Sequence, residues 1–248
     1  MRIIISPAKK MKVDTDTLSA MGTPVFLETV ERIMTWMKRL SYEEAKELWG
    51  CNDKIAGQNY RRFQEMDLHG NLTTAILSYE GIQYQYMAPA VFEEGMLAYV
   101  QEHLRILSGF YGVLKPMDGV TPYRLEMQAK AGTGGKKDLY EYWGRRLYDE
   151  VTKEDHVIVN LASKEYSQCI ERYLADGDTY INCIFGELAQ DKVVQKGTYA
   201  KMARGEMVRF LAEHKAQQPE VMKEFHRLGY VYCEEFSSGT EYVFLRGN

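Results

Sequence analysis

Three groups of residues in this 248-residue chain have the types and spacings that chemistry needs. Ser6 and Lys9 stand three apart, Arg124 and Glu126 two apart, and Asn160, Ser163, Glu165 and Tyr166 crowd one short run. Lys9 and Arg124 supply positive charge for a phosphate or carboxylate, the guanidinium through a planar fork of donors. Glu126 is a candidate acid or base, with Lys9 and Ser6 as its candidate catalytic companions if the chain is an enzyme. Ser6-Pro7-Ala8-Lys9 has the SxxK spacing of penicillin-recognising enzymes, but the SDN and KTG partner motifs are missing, and Lys196-Gly197-Thr198 has the wrong order. Serine acyl-enzyme chemistry is therefore set aside. For Arg124 and Glu126 the plain alternative is a structural ion pair, and for Ser163 it is a helix cap.

These residues need elements to position them. Ile3 to Ile5 reads as a buried strand closed by Ser6-Pro7, and His156 to Leu161 as a second one followed by a helix from about Lys164 to Tyr173. If the two strands are parallel neighbours, Ser6, Lys9, Asn160 and Ser163 face one crevice past their carboxyl ends, where open α/β sheets gather ligands. On an extended chain Arg124 and Glu126 point the same way, because side chains alternate with period two. Lys137 is a candidate to join Arg124, Asn160 and Ser163 in binding an anionic substrate. It follows the loop Gly132–Gly135, whose spacing is not that of a P-loop.

The run from His103 to Met127 is unusually rich in Gly, Pro and charge. Leu97, Val100, Leu104 and Leu107 recur at helical spacing, which predicts a helix ending near Ser108. Gly109 and Gly112 then resemble the hairpin of a helix-hairpin-helix element, with Arg105 and Lys115 beside it to meet DNA phosphates. Pro116 falls inside the second helix of such an element. On a long helix from about Tyr199 to Lys215, Lys201, Arg204 and Arg209 fall within an arc of roughly 140°. That arc reads either as a phosphate-tracking stripe or as an ordinary solvated face.

The formal net charge is −4, with local surpluses of +4 over His103–Leu147 and +4 over Lys192–Arg209. A uniformly basic coating protein is thereby excluded, and a polarised molecule with one basic face is not. The 45% hydrophobic content suffices for a substantial core. Cys51, Cys169, Cys183 and Cys233 are widely separated with no CxxC pair, and the five His show no metal-ligand spacing, so free thiols and no metal or cofactor are expected. The first apolar run is too short for a signal-peptide core and no run approaches a membrane span, which places the expected location in the cytosol, away from membranes. Other strands are predicted at Thr73–Tyr79, Thr179–Phe185, Lys192–Gln195, Tyr230–Phe236 and Glu241–Leu245. Helices are predicted at Val25–Leu40, from the Ser41/Glu44 capping box, at Ile55–Phe63 and at Asp138–Tyr148. Strands mixed with helices, with no repeat and no linker, predict an α/β fold: residues 1–248 as a single domain with a mixed sheet flanked by helices.

Six segments spread over nearly the whole chain resemble the peroxide stress protein YaaA family: ISPAK from Ile5, DKIAGQNYRRF from Asp53, the 103–127 run, KDLYEYWG from Lys137, NLASKEY from Asn160 and YAKMARGEMVRF from Tyr199. The resemblance implies a cytosolic protein that helps bacteria survive hydrogen peroxide by lowering the damage done by unincorporated iron, above all to DNA. Two mechanisms are compatible with the residues. In one, Arg105, Gly109, Gly112, Lys115, Lys201, Arg204 and Arg209 form a basic groove for duplex or branched DNA, without sequence specificity. In the other, the strand-end residues hold a small anionic, nucleotide-like substrate.

Overall fold

The computed structural model describes residues 1–247. Its central strand, β1 (Arg2–Ile5), carries Ile3, Ile4 and Ile5, all fully buried. A strand apolar on successive residues has no wet face, so it must lie inside a sheet covered on both sides. Two parallel neighbours flank it: β2 (Leu104–Ser108), with Ile3 opposite Leu104, and β4 (Val157–Leu161), with Ile3 opposite Val159. Strand β3 (Gly112–Leu114) returns antiparallel on β2. On the other side β5 (Thr179–Ala189) runs parallel to β4, and β6 (Lys192–Val194) turns back on it. The edge is built by β7 (Tyr230–Tyr232) and β8 (Glu241–Arg246), giving the order β7-β8-β5-β4-β1-β2-β3 with β6 paired to β5. This is an α/β protein with a mixed eight-stranded sheet, as its composition of elements requires.

Helices cover the sheet. Helices α1 (Leu27–Arg39), α2 (Tyr42–Trp49) and α3 (Asp53–Gln64) follow β1. The Ser41/Glu44 capping box forms in full, and Gly50 closes α2 in the left-handed region at φ 52°. Asn52 caps α3 through the Ile55 amide. Next come α4 (Ile82–Met87), α5 (Glu94–His103), α6 (Leu139–Trp143), α7 (Arg146–Thr152), α8 (Lys164–Glu171) and α9 (Gly197–Glu213). Gly205 lets α9 press on α4: a Cβ there would lie 2.1 Å from the Gln83 carbonyl oxygen. No helix among the described residues is long and apolar enough to cross a membrane.

Four expectations need correction. The helix expected to reach Ser108 stops at His103, and Leu104–Ser108 is strand β2. All five of its residues are buried, and a short apolar run of this kind is ambiguous in periodicity between buried helix and buried strand. The Gly109/Gly112 element is therefore a β-hairpin joining β2 to β3, not a helix-hairpin-helix. The strand expected over Thr73–Tyr79 is two short bridging pairs around one helical turn, Ala75–Ser78. The helix expected over Asp138–Tyr148 is broken at Gly144, whose φ of 55° a helix does not accept.

Candidate functional site

Because β1 and β4 are parallel neighbours in register, their carboxyl ends bring Ser6 and Ser163 together. The Ser163 amide donates to Ser6 Oγ at 2.8 Å, and the Ser6 hydroxyl lies 3.1 Å from Ser163 Oγ. Ser163 occupies the N-cap position of α8 but makes no side-chain cap bond, since its hydroxyl faces Ser6 instead. Two further bonds fix this corner from α4: the Tyr84 hydroxyl donates to the Ser6 carbonyl at 2.9 Å, and Gln83 Nε2 to the Leu161 carbonyl at 3.3 Å.

The segment 121–127 runs extended past this corner, with Tyr123, Leu125 and Met127 buried and Arg124 and Glu126 on the opposite face. Period-two alternation thus places the charged pair as expected. Arg124 Nη2 lies 2.9 Å from Glu126 Oε1, and Lys9 Nζ lies 2.8 Å from Glu126 Oε2. The segment can lie here because Gly109 has no side chain: a Cβ on it would sit 2.5 Å from the Leu125 carbonyl oxygen.

Ser6, Lys9, Arg124, Glu126 and Ser163 line one crevice of about 510 Å³, which α8 and α9 complete with Glu165, Tyr166, Lys201 and Arg204. Its electrostatics are uneven. Arg204 is largely buried, and burial lowers its pKa from the usual value. Burial raises the Glu165 carboxyl above its ordinary range, the Glu126 charge adds to this, and the Gln128 amide and Lys9 oppose it. Burial also pushes the Tyr166 phenol well up, so it stays protonated. The Nε–H groups of Arg124 and Arg204 are buried with no acceptor. Glu126 Oε1 touches Arg124 at ion-pair distance but receives no aligned hydrogen bond. Seven buried side-chain polar atoms lack a partner among the described residues, and these three belong to residues that line the crevice. Amides of Lys164 and Glu165, the first two of α8, also donate to no protein acceptor and add positive potential at the helix start.

The family model described as peroxide stress protein YaaA matches residues 1–236. The chain belongs to this family. Similar proteins include a UPF0246 protein of Agathobacter rectalis, 58% identical over 246 residues and covering 99% of both chains. Another, from Lachnoclostridium phytofermentans, is 57% identical over 247 residues, covering all of this chain and 97% of its own. One from Pediococcus pentosaceus is 51% identical over 246 residues. The YaaA-family motifs at ISPAK, NLASKEY and YAKMARGEMVRF all reach this crevice, through Ser6 to Lys9, Ser163 to Tyr166, and Lys201 with Arg204.

Other expected site residues lie elsewhere. Asn160 is buried and structural: its Nδ2 donates to Asn182 and its Oδ1 accepts from the Ala162 amide, which shapes the β4–α8 turn. Lys137 is exposed beside α6, its amide donating to Glu141, and does not join Arg124. Arg105 is buried, with Nη1 donating to the carbonyls of Gln101, Glu102 and Leu104. Burial lowers its pKa to about 10. In the Gly109–Gly112 hairpin the Phe110 and Tyr111 amides donate to Ser108 Oγ at 3.2 and 2.8 Å, so neither points at solvent. Arg209 pairs with Glu213 at 2.8 Å, one turn along α9. Of the assigned DNA-contact set, Lys115, Lys201 and Arg204 are not fully buried and have no carboxylate partner among the described residues, and Arg204 lines the crevice. Gln83 and Tyr84 were invisible as site residues in sequence, since nothing in IQYQYM sets them apart. Glu165 and Tyr166 stand out only through their crowding after β4. Among the described residues no three His, Cys, Asp or Glu side chains group as a metal site does.

Proposed function

We propose that the chain serves the peroxide stress response, limiting iron-mediated damage, by holding a small anionic ligand in the strand-end crevice. One observation carries this reading: Arg124 and Arg204, from different parts of the fold, line one cavity of about 510 Å³ together with Lys9 and Lys201. A phosphate or carboxylate in this cavity accepts hydrogen bonds from such cationic side chains, and charge-assisted bonds of this kind are about twice as strong as neutral ones. Lys9 and Lys201 add charge, and the Ser6 and Ser163 hydroxyls add neutral donors. If the ligand is also a substrate, Glu126 and Glu165 form a carboxylate pair in unlike surroundings: Glu126 is held by two cations, Glu165 is desolvated. Burial raises the Glu165 pKa, which suits it to act as the acid.

Isothermal titration with sulfate and inorganic phosphate at low salt tests the reading. Saturable single-site uptake, weakened at least tenfold in Arg204→Met, is expected. Absence of uptake by folded protein, or equal uptake by the variant, contradicts it.

A second reading, binding of duplex or distorted DNA through its phosphates, draws support from the unpaired ammonium groups of Lys115 and Lys201. Its test is a labelled duplex at two salt concentrations with Lys115→Ala and Lys201→Ala. Salt-steep binding lost in the variants favours it, and salt-insensitive binding removes it.

A further inference from the structure

The crevice has a neighbour. A second cavity, about 730 Å³, shares Lys9, Arg124 and Glu126 with it, so these three side chains form a wall with space on both sides. The chemistry of the two sides differs. Beyond the wall the lining adds aromatic and carboxylate groups with one further cation, Lys130: Trp36 lies on α1 one turn before Leu40, the residue that ends it, and Glu44, Glu47 and Leu48 share a face of α2. Trp36 is half-buried, with ring surface open to the cavity, whereas Trp49 is buried and held by stacking on Phe63 at 6.0 Å and 17°. The Trp49 indole N–H is buried and has no acceptor. Four of the seven partnerless polar atoms, those of Trp49, Arg124, Glu126 and Arg204, therefore belong to the two joined cavities. Glu44 is held by the capping box, whereas the Glu47 carboxylate has no ion-pair or hydrogen-bond partner among the described residues.

A single phosphate-sized anion fills only the cationic side. What suits the other side is fixed by its charge and shape. Glu44 and Glu47 accept from hydroxyl or amino groups, and Trp36 offers a face for a planar ring. A sugar bearing a planar, uncharged heterocycle with exocyclic N–H groups meets these requirements, and joined to an anionic group it spans the wall. Resting on the reading of the crevice as an anion site, we propose that the two cavities together bind a nucleoside monophosphate. Its phosphate lies with Arg124 and Arg204, its sugar passes Lys9 and Glu126, and its base lies against Trp36.

The test compares inorganic phosphate, ribose 5-phosphate and the monophosphates of adenosine, guanosine, cytidine and uridine by titration calorimetry. At least one nucleotide is expected to bind tenfold or more tighter than ribose 5-phosphate. Trp36→Ala should erase that advantage while leaving inorganic phosphate unchanged, and Trp36→Phe should restore most of it. Melting curves of each variant confirm folding. The inference is overturned if ribose 5-phosphate matches every nucleotide, or if the advantage survives Trp36→Ala. It is equally overturned if a short 5′-phosphorylated oligonucleotide outbinds all the monomers tenfold through Trp36, since the occupant would then be a strand end. If inorganic phosphate itself does not bind, the anion reading of the crevice fails first, which is a separate result.

Discussion

The β2–β3 hairpin and the strand-end crevice are built from similar residues, and they do opposite things. Both are rich in hydroxyls, both contain an arginine buried in low dielectric, and both have a buried Nε–H without an acceptor, on Arg105 in one and on Arg124 and Arg204 in the other. In the hairpin the polar atoms turn inward: Ser108 Oγ accepts from two amides and lies 2.6 Å from the Tyr123 hydroxyl, which in turn contacts Tyr79. Arg105 lines neither of the two joined cavities, and three main-chain carbonyls occupy its Nη1. In the crevice Arg124 and Arg204 instead line a cavity of about 510 Å³. Composition therefore does not separate a scaffold from a site, whereas access for an acceptor does. The two regions also meet, because the hairpin's Gly109 is the surface on which the Arg124–Glu126 segment rests.

The sharpest way to break this contrast is to remove the guanidinium groups of the crevice. Arg204→Met and Arg124→Met should each lower sulfate affinity on the order of 100-fold, about 3 kcal/mol, measured by calorimetry. Stability should fall little in Arg204→Met, since Arg204 has no carboxylate partner among the described residues, and more in Arg124→Met, which leaves Glu126 with Lys9 alone. Gly112→Ala should show the reverse pattern. Gly112 has φ 76°, and its Cβ would meet the Trp143 ring at 2.8 Å. A loss of about 1–3 kcal/mol in denaturant melts is expected from strain and overpacking, with sulfate affinity of the folded protein unchanged. Gly109→Ala sharpens the comparison by joining the regions: displacing the segment behind Glu126 should cost about tenfold in affinity, the scale on which small misplacements of binding groups act.

The smallest effect is in pH dependence. A carboxyl with a raised folded pKa stabilises the fold fully below its ordinary value, and that contribution is lost as pH rises through the raised value. For Glu165 the window opens at 4.5 and extends upward. Within it the protonated form also removes a negative charge from the crevice, so sulfate should bind better as pH falls. Glu165→Gln should flatten both trends, read from melting temperature and sulfate affinity across that window.

Much of the site was legible in sequence because its logic is local. Ile3–Ile5 and HVIVNL are buried strands that end in polar turns, and Arg124 and Glu126 obey strand alternation. What sequence did not reveal is tertiary. Arg204 looked like part of a helical stripe, and it reaches the crevice only because Gly205 brings α9 against α4. Asn160 looked like a ligand group, and its hydrogen bonds close on Asn182 and the next turn. Gly109 and Gly112 looked like phosphate-contacting glycines, but their lack of side chains serves close packing against Leu125 and Trp143. Leu104 and Leu107 kept helical spacing with Leu97 and Val100 across a real break at His103, since a buried strand next to a helix extends the apolar run.

Arginine side-chain NMR tests the central claim most directly, because the Nε–H signals of Arg124, Arg204 and Arg105 report on both regions in one titration. With sulfate added at low salt, the Arg124 and Arg204 signals should shift together along one saturable curve while Arg105 stays fixed. Immobile Arg124 and Arg204 signals, or an Arg105 signal that moves with them, would contradict the assignment of the crevice as the anion site.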